Sequence, residues 1–221
     1  NKAPDKGIDI KNVTVTPVSI EPIDGKIISD FAAAVYNQNE AMQKIATASL
    51  PKVFPSPVSY QESGSSFLLN NMVQINADAA FDNEAQLMAD DVMQLTGKRP
   101  SISTTPSTGA SISLIKKEGI ATEGYLLTVK ANGVSIVASS PEGIFYGIQS
   151  FKSLLPLAAW QLTKIVKTIT VPGVTITDAP RFAYRGFMLD AARNFQTKNE
   201  VLKLLDLMAL YKLNTFHFHL T

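Results

Sequence analysis

The sequence predicts an α+β fold, a sheet covered by two helices, followed by a single strand–helix–strand unit. Residues 65–155 contain several short apolar or alternating segments and two segments of helical periodicity, the pattern of a sheet with helices packed on one face. Residues 181–221 then read as strand, helix and strand. Such a unit is the repeating piece of a parallel α/β sheet or barrel, so the second part of the chain is predicted to begin a different architecture.

Composition is that of an ordinary globular protein. The 221 residues are 45% hydrophobic and 18% charged, with 20 basic and 19 acidic residues and a formal net charge of +1, which argues against disorder. No run of like charge stands out, so no nucleic acid partner is expected. The longest apolar stretch, near residues 153–160, is too short to cross a bilayer. The absence of cysteine excludes disulfides and thiol chemistry.

The first fifty residues are predicted to form an N-terminal extension or linker. Their alternating run IDIKNVTVTPVSI reads as an edge strand or a linker. A helix capped by Ser29 or Asp30 is expected to continue to about Ser49, because its apolar residues recur at helical spacing. Three prolines between residues 51 and 57 interrupt regular structure. We therefore place a domain boundary there, with domains over 1–50, 51–178 and 179–221.

Residues 51–178 contain the elements of the predicted α+β domain. The strand candidates are SSFLL, MVQI, SISLI, GYLLTV and VSIVAS, and the last two are joined by KANG, whose Asn132-Gly133 pair is a strong hairpin signal. One helix is predicted from a cap at Asp82 to Thr96, where Gly97 stops it. A second opens at Ser140-Pro141. KTITVPGVTITDAP is predicted to form two short strands around Pro172-Gly173.

The last unit, 181–221, has the clearest local signals. Tyr184 to Leu189 is predicted to be a strand. Thr197 and Glu200 have the spacing of a capping box at the start of a helix. The final strand, Asn214–Leu220, alternates between two sets of side chains. Phe216, Phe218 and Leu220 share one face, and Thr215, His217 and His219 share the other.

These segments resemble the β-N-acetylhexosaminidases of glycoside hydrolase family 20. The resemblance rests on RGFMLDAARNF (185–195) and KLNTFHFHLT (212–221), and on FPSPVSY, LMADDVMQLTGKRP, EGYLLTV and SPEGIFYGIQSFKSLLP in the preceding region. It covers about residues 50–221. Two positions depart from the family pattern, because Asn194 stands where histidine is usual and Phe218 where tryptophan is usual. The resemblance implies a non-catalytic α/β domain followed by the truncated start of a (β/α)8 TIM barrel.

The resemblance also implies what the residues do. Arg185 matches an arginine that binds sugar hydroxyls, with a structural salt bridge to the preceding domain as the alternative. Asp190 and Arg193 line the site or pair with each other, and His219 supports the site or is a buried barrel histidine. His217 is expected to be structural. The catalytic Asp-Glu pair is expected beyond Thr221, so that no catalytic residue is assigned here and this chain alone is expected to be inactive.

The same resemblance implies the substrate class and the setting. N-acetylhexosamine-containing glycans are the expected partners, and neither a metal nor an organic cofactor is implied. A periplasmic, cell-surface or otherwise exported location is implied, although no signal peptide is recognisable at Asn1. The choice between N-acetylglucosamine and N-acetylgalactosamine and the oligomeric state are left open.

Two other interpretations are weighed against this one. His217 and His219, at the end of a barrel strand, are also an arrangement by which metal-dependent hydrolases hold zinc, but a zinc site needs further ligands and these are the two histidines of the chain. The chain could instead act as a non-catalytic interaction module, since two strands cannot close a barrel. The RG…MLD segment and the preceding domain favour the hexosaminidase.

Overall fold

A computed structural model describes residues 25–40, 52–107, 109–160 and 167–221. The chain divides into two compact units, residues 1–50 and residues 51–221. In the first unit, helix α1 spans Gly25–Glu40. It begins before the predicted caps Ser29 and Asp30, which therefore lie inside the helix, and residues 32–40 are all exposed. The alternating run IDIKNVTVTPVSI and the predicted end of this helix near Ser49 lie outside the described residues.

The second unit contains nine strands and three α-helices among its described residues. A seven-stranded mixed sheet has the order β1-β7-β5-β6-β4-β2-β3, and β8 and β9 form a separate parallel pair. The elements are β1 (Ser59–Asn70), β2 (Gln74–Ala77), α2 (Asp82–Thr96), β3 (Ile102–Ser103), β4 (Ser111–Lys116), β5 (Tyr125–Lys130), β6 (Gly133–Ala138), α3 (Pro141–Ser153), β7 (Thr168–Asp178), β8 (Gly186–Asp190), α4 (Lys198–Leu210) and β9 (Thr215–His219).

Helices α2 and α3 cover one face of the seven-stranded sheet, which confirms the predicted α+β class. Their apolar residues face a core with side chains from six of the strands. The fully buried members include Phe67, Ile75, Met88, Ile112, Leu114, Tyr125, Leu127, Ile136, Ile144, Ile148 and Phe151. We call the sheet with these two helices the α+β layer. It is a mixed sheet because β2, β4 and β6 are parallel neighbours, while β5 pairs antiparallel with both β6 and β7.

Local signals predicted the start of α3 and the end of α2 correctly, but not the start of α2. Ser140 caps α3 by accepting a hydrogen bond from the Gly143 backbone N–H, with Pro141 at the first helical position. Gly97 ends α2 in the left-handed conformation, at φ 78°. Asp82 is the first helical residue rather than the cap, since Phe81 occupies the cap position and makes no side-chain capping bond.

Two strand predictions were wrong in detail. Residues 168–178 form one continuous strand rather than two, because β1 follows β7 on both sides of Pro172-Gly173 by means of an irregularity between Glu62 and Ser66. The β5–β6 hairpin exists, but Lys130 pairs with Gly133, so residues 131–132 form the turn rather than Asn132-Gly133. Gly133 is instead needed within the sheet, since a Cβ there would lie 2.8 Å from the Ser111 carbonyl oxygen.

The β8–α4–β9 unit contacts the α+β layer at the amino ends of its two strands, through Arg185 and Lys212. Thr197 and Glu200 form the predicted capping box of α4. Met208 of α4 is buried, and Tyr211, directly after the helix, is 46% exposed. The β9 faces alternate as predicted, with Phe216 and Phe218 stacked at 5.3 Å on one side. No described helix is long and apolar enough to span a membrane.

Candidate functional site

The carboxyl ends of β8 and β9 bring Asp190 and His219 side by side. The parallel register pairs these two residues, and the Ala191 backbone N–H donates to the His219 carbonyl oxygen at 3.0 Å. The Asp190 carboxylate accepts hydrogen bonds from the backbone N–H groups of Ala192 and Arg193 at 3.1 and 3.0 Å. It therefore fixes the turn that follows β8. We call Asp190, Arg193 and His219 the carboxyl edge.

Arg193 is the accessible cation of this edge. Its side chain is 87% exposed, and its Nε lies 3.5 Å from Asp190 Oδ2. An exposed ion pair of this length contributes little stability, so the guanidinium is not held in place by it. The carboxylate of Asp190 accepts hydrogen bonds and the guanidinium of Arg193 donates them. Together they have the chemistry to bind a polyhydroxylated ligand.

The two histidines of β9 lie on one face, as the alternation predicted. The ring centroids of His217 and His219 are 6.1 Å apart with their planes at 74°. Across the described ranges, no group of three or more histidine, cysteine, aspartate or glutamate side chains is arranged to hold a metal ion. The zinc interpretation thus gains no third ligand from this part of the chain.

Arg185 lies at the opposite end of β8, immediately before the strand begins. Its guanidinium makes five hydrogen bonds, to Lys212 O (2.8 Å), Phe182 O (2.7 Å), Tyr146 Oη (3.0 Å) and both carboxylate oxygens of Glu123 (2.6 and 3.4 Å). A guanidinium has five N–H donors, so all of them have partners. The salt bridge to the preceding domain, which was the alternative for this residue, is therefore present.

The sugar-binding role of Arg185 stays a prediction, and it now has a structural requirement. Arg185 would have to exchange some of its contacts for sugar hydroxyls. The side chains of Arg185 and Glu123 are 14% and 20% exposed, so the exchange would also uncover a partly buried ion pair. In barrels, moreover, ligands bind at the carboxyl ends of the strands, whereas residues at the amino ends serve stability.

A second ionic cluster holds the start of β9. The Lys212 ammonium donates to Asp178 Oδ2 at 3.0 Å and to Tyr125 Oη at 2.8 Å. Tyr125 Oη also lies 2.9 Å from Asp178 Oδ2 and 2.6 Å from Ser150 Oγ. The Lys212 and Asp178 side chains are 10% and 14% exposed. We call this cluster, together with Glu123, Tyr146 and Arg185, the amino-edge clamp.

Burial and neighbouring charges shift the pKa values within the clamp. The hydrogen bonds from Arg185 lower the pKa of the Glu123 carboxyl, against the opposing effect of its partial burial. Burial lowers the pKa of the Lys212 ammonium, and the Asp178 carboxylate counteracts this. Burial and the Asp178 charge raise the pKa of Tyr125. Near neutral pH, Glu123 is therefore ionised and Tyr125 is a neutral hydrogen-bonding group.

The sequence analysis missed the clamp residues that the α+β layer supplies. Glu123, Tyr125, Tyr146 and Asp178 belong to the α+β layer and meet Arg185 or Lys212 only through the tertiary fold. A cavity of about 250 Å³ lies beside the clamp and is lined by these residues together with Pro55 and Phe182, among others. The α+β layer contains another buried carboxylate, because Asp91 of α2 is 7% exposed and pairs with Lys152 at 3.0 Å.

Family models match nearly all of the second unit. The model described as glycosyl hydrolase family 20, domain 2, matches residues 50–179, and the model of the catalytic domain of the same family matches residues 182–221. Among curated proteins, a β-hexosaminidase of Porphyromonas gingivalis is 37% identical over 76% of this chain, and an N,N'-diacetylchitobiase of Vibrio harveyi is 31% identical over 90%. The chain covers 22% and 21% of these two relatives.

Solved structures agree with the family models. A family 20 β-N-acetylhexosaminidase from Streptomyces coelicolor A3(2) superposes with a TM-score of 0.70 at 32% identity, over 77% of this chain and 35% of the other. A family 20 exo-β-N-acetylglucosaminidase from Vibrio harveyi, in complex with N-acetylglucosamine, gives 0.66 at 29% identity, over 77% and 25%. From these matches and the architecture they share, the chain belongs to glycoside hydrolase family 20.

Proposed function

We propose that this chain is part of a β-N-acetylhexosaminidase, an enzyme that removes terminal β-linked N-acetylhexosamine from glycans or chitooligosaccharides. The observation that carries the proposal is the match of both family 20 domains in order along residues 50–221. The position of Asp190, Arg193 and His219 at the carboxyl ends of β8 and β9 supports it, because barrel enzymes build their active sites at that end.

The proposed reaction is a substrate-assisted, retaining hydrolysis. The carbonyl oxygen of the substrate's 2-acetamido group attacks the anomeric carbon and forms an oxazolinium intermediate. The glycosidic bond breaks, and its oxygen takes a proton from a glutamic acid. Water then attacks the anomeric carbon, the same glutamate takes the proton from that water, and the acetamido group is restored. An aspartate orients the acetamido group during both steps.

The Asp-Glu pair of this reaction is expected on a later barrel strand, beyond Thr221. The contribution proposed for this chain is substrate binding at the carboxyl edge. There Arg193 donates hydrogen bonds to sugar hydroxyls and Asp190 accepts them, while His219 supports the edge beside Asp190. Arg185 is retained as the alternative arginine, since the sequence motif places it in the family pattern, although its donors are directed at Glu123, Tyr146 and backbone carbonyls.

The test is hydrolysis of a chromogenic aryl N-acetyl-β-glucosaminide by two proteins. One is the 221-residue chain, and the other is the same gene product extended to its natural stop codon. We expect turnover by the extended protein alone, because a (β/α)8 barrel needs roughly 250 residues and residues 179–221 supply two strands. Turnover by the 221-residue chain would refute its proposed inactivity. If the extended protein is folded but hydrolyses neither the N-acetylglucosaminide nor the corresponding N-acetylgalactosaminide, the proposed β-N-acetylhexosaminidase activity is refuted.

Export to the periplasm or cell surface is proposed together with the activity. Glycans that carry terminal N-acetylhexosamine are the substrates named above, and an exported enzyme meets such polymers outside the cytoplasm. Cell fractionation followed by the same chromogenic assay tests this. Activity confined to the cytoplasmic fraction would contradict the proposed location and leave the proposed reaction standing.

A further inference from the structure

The amino-edge clamp connects the α+β layer to the beginnings of both barrel strands. Glu123 holds Arg185, the residue before β8, and Asp178 holds Lys212, which lies three residues before β9. The two strands are also tied to each other there, since the Asn214 backbone N–H donates to Arg185 O at 2.9 Å and the Arg185 backbone N–H donates to Asn214 Oδ1 at 3.0 Å. The starts of β8 and β9 are therefore fixed together on one support.

We infer that Glu123 and Asp178 of the α+β layer are positioning residues for the carboxyl edge. The inference rests on the proposed function, because it concerns where that edge lies during the proposed reaction. Neither carboxylate touches the carboxyl edge itself. Each acts through the strand that it holds at the opposite end.

The length of β8 shows why an orientation set at one end matters at the other. Asp190 lies four residues beyond Gly186, which is about 13 Å along a strand. A tilt of about 5° at the amino edge therefore displaces Asp190 by about 1 Å, and a misplacement of that size can cost on the order of a hundredfold in rate. Asp190 and His219 move together because the two strands are paired in register.

The chemistry of the clamp favours a role in geometry over one in stability alone. Buried ion pairs often stabilise a fold no better than apolar residues of the same size would, and in some proteins they serve to select one arrangement. Glu123 and Lys212 are also the two non-glycine residues with positive φ among the described residues, at 64° and 57°. Residues other than glycine rarely adopt this backbone conformation, and it persists where surrounding contacts hold it in place. Glu123 lies on the α+β layer side of the clamp, and Lys212 lies on the side of the β8–α4–β9 unit.

The α+β layer offers a matched control in Asp91. Its carboxylate pairs with Lys152 at 3.0 Å, and the two side chains are 11% and 20% exposed. The pair is thus as buried as that of Glu123 and Arg185, but it joins α2 to α3 and contacts neither β8 nor β9. Asp91→Asn should disturb a buried ion pair without disturbing the barrel strands.

The experiment compares Glu123→Gln, Asp178→Asn and Asp91→Asn in the protein extended to its natural stop codon. Kinetics on the aryl N-acetyl-β-glucosaminide are measured below each variant's Tm. We expect the first two variants to lose at least about tenfold in kcat with a smaller change in KM, because the strands are displaced while hydroxyl contacts persist. Asp91→Asn should lower Tm and keep kcat within about twofold. If all three variants lower Tm and none lowers kcat, the clamp serves stability only and the inference is overturned.

A second measurement does not depend on activity, so it separates this inference from the proposed function. Backbone hydrogen exchange is followed in the 221-residue chain and its three variants. Glu123→Gln and Asp178→Asn should accelerate exchange in residues 186–190 and 215–219 by at least about tenfold, whereas Asp91→Asn should not. Equal exchange in all three variants would overturn the inference even if the extended wild-type enzyme is active. An inactive extended wild-type enzyme would refute the proposed function, whatever the exchange shows.

Discussion

The two ends of the β8–β9 pair differ in what their charged residues contact. At the amino end, Arg185 and Lys212 are nearly buried, and their charged groups bind partners in the α+β layer. At the carboxyl end, Asp190 makes its hydrogen bonds within the following turn, and the Arg193 side chain is 87% exposed. A strand five residues long thus has one end fixed to a support and the other available to a ligand.

The difference shows that charged residues in one short motif need not share a role. RGFMLDAARNF contains two arginines eight residues apart, and the motif alone does not say which of them binds a sugar. Their positions at opposite ends of β8 separate them. In the proposed barrel, where substrate binds at the carboxyl ends of the strands, Arg193 would have the position for binding and Arg185 the position for support.

The largest effect that would sharpen this comparison is on activity. In the extended protein, Arg193→Gln should lower kcat/KM by about a hundredfold, since two charge-assisted hydrogen bonds to a ligand contribute roughly 3 kcal/mol. Its Tm should stay within about 1 °C because the side chain is exposed. Arg185→Gln, which breaks the ion pair with Glu123, should lower Tm by several degrees and lower kcat rather than raise KM. The exposed Lys198→Gln is the control and should alter neither. A raised KM with unchanged Tm for Arg185→Gln would instead assign sugar binding to Arg185.

The next effect is on stability, and it has a pH dependence. In the 221-residue chain, Glu123→Gln should reduce the free energy of unfolding by about 2–3 kcal/mol, somewhat less than the ~3–5 expected for a fully buried pair. The exposed Asp90→Asn, which removes a partner of Arg99, should cost under about 1 kcal/mol. Both are measured by urea denaturation.

The pH dependence follows from the lowered pKa of Glu123. A carboxyl with a lower pKa in the folded protein adds stability that is fully present above its unfolded pKa of about 4.3. That stability is lost as the pH falls through the lower folded value. The difference in the free energy of unfolding between wild type and Glu123→Gln should therefore be constant from pH 5 to 7 and should become smaller below about pH 4. A difference that is the same at pH 3 and pH 7 would contradict the charge pairing.

A smaller loss of stability is expected when the packing of α3 beside Glu123 is disturbed. Gly143 of α3 is so close to Gly124, the residue between Glu123 and the start of β5, that an added Cβ would clash with the Gly124 carbonyl oxygen. Gly143→Ala should reduce the free energy of unfolding by about 2 kcal/mol and accelerate hydrogen exchange at the amino edge. Gly109→Ala is the control, because nothing lies within 4 Å of its added Cβ. Equal stability of the two variants would show that α3 can move away.

A still smaller effect is expected at the helix between the two strands. Thr197→Ala removes the capping box of α4 and should cost about 1 kcal/mol. The increase in hydrogen exchange should be confined to the first turn of α4, because Thr197 makes no contact with the clamp. The neighbouring Lys198→Ala serves as the control. Increased exchange in β8 would show that the two ends of the unit are coupled through the helix.

The smallest expected effect concerns zinc. Added zinc or a chelator should change hydrolysis by the extended protein by less than about twofold, since the proposed reaction uses no metal. His217 and His219 would otherwise supply two of its ligands. Loss of activity with the chelator and recovery with zinc would revive the metal-dependent interpretation.

Sequence alone predicted what local chemistry determines. The capping box at Thr197 and Glu200 follows from residue types three positions apart, and the stop at Gly97 follows from one glycine. The alternation of the β9 faces follows from strand geometry. In each case the deciding contacts lie within a few residues, so the pattern can be read without the fold.

The clamp could not be predicted in this way. Glu123 and Arg185 are 62 positions apart, and Asp178 and Lys212 are 34 apart. The sequence neighbours of Glu123 do not distinguish it from a solvated carboxylate. The sequence neighbours of Asp91 likewise do not indicate that it is buried. Similarly, β7 was split in two because Pro172-Gly173 signals a turn locally. The pairing of β7 with β1 overrides that signal.

The pairing of β1 with β7 has a consequence for how the protein is made. Ser59 pairs with Thr177, and the Val58 backbone N–H bonds to the Asp178 side chain 120 positions away. At typical rates of synthesis, β1 is translated about 6–24 s before its partner. During that interval a ribosome-bound chain carries an unpaired twelve-residue strand. The sheet can close only when β7 emerges. Because β7 lies immediately ahead of Arg185, the support is completed just as β8 is synthesised.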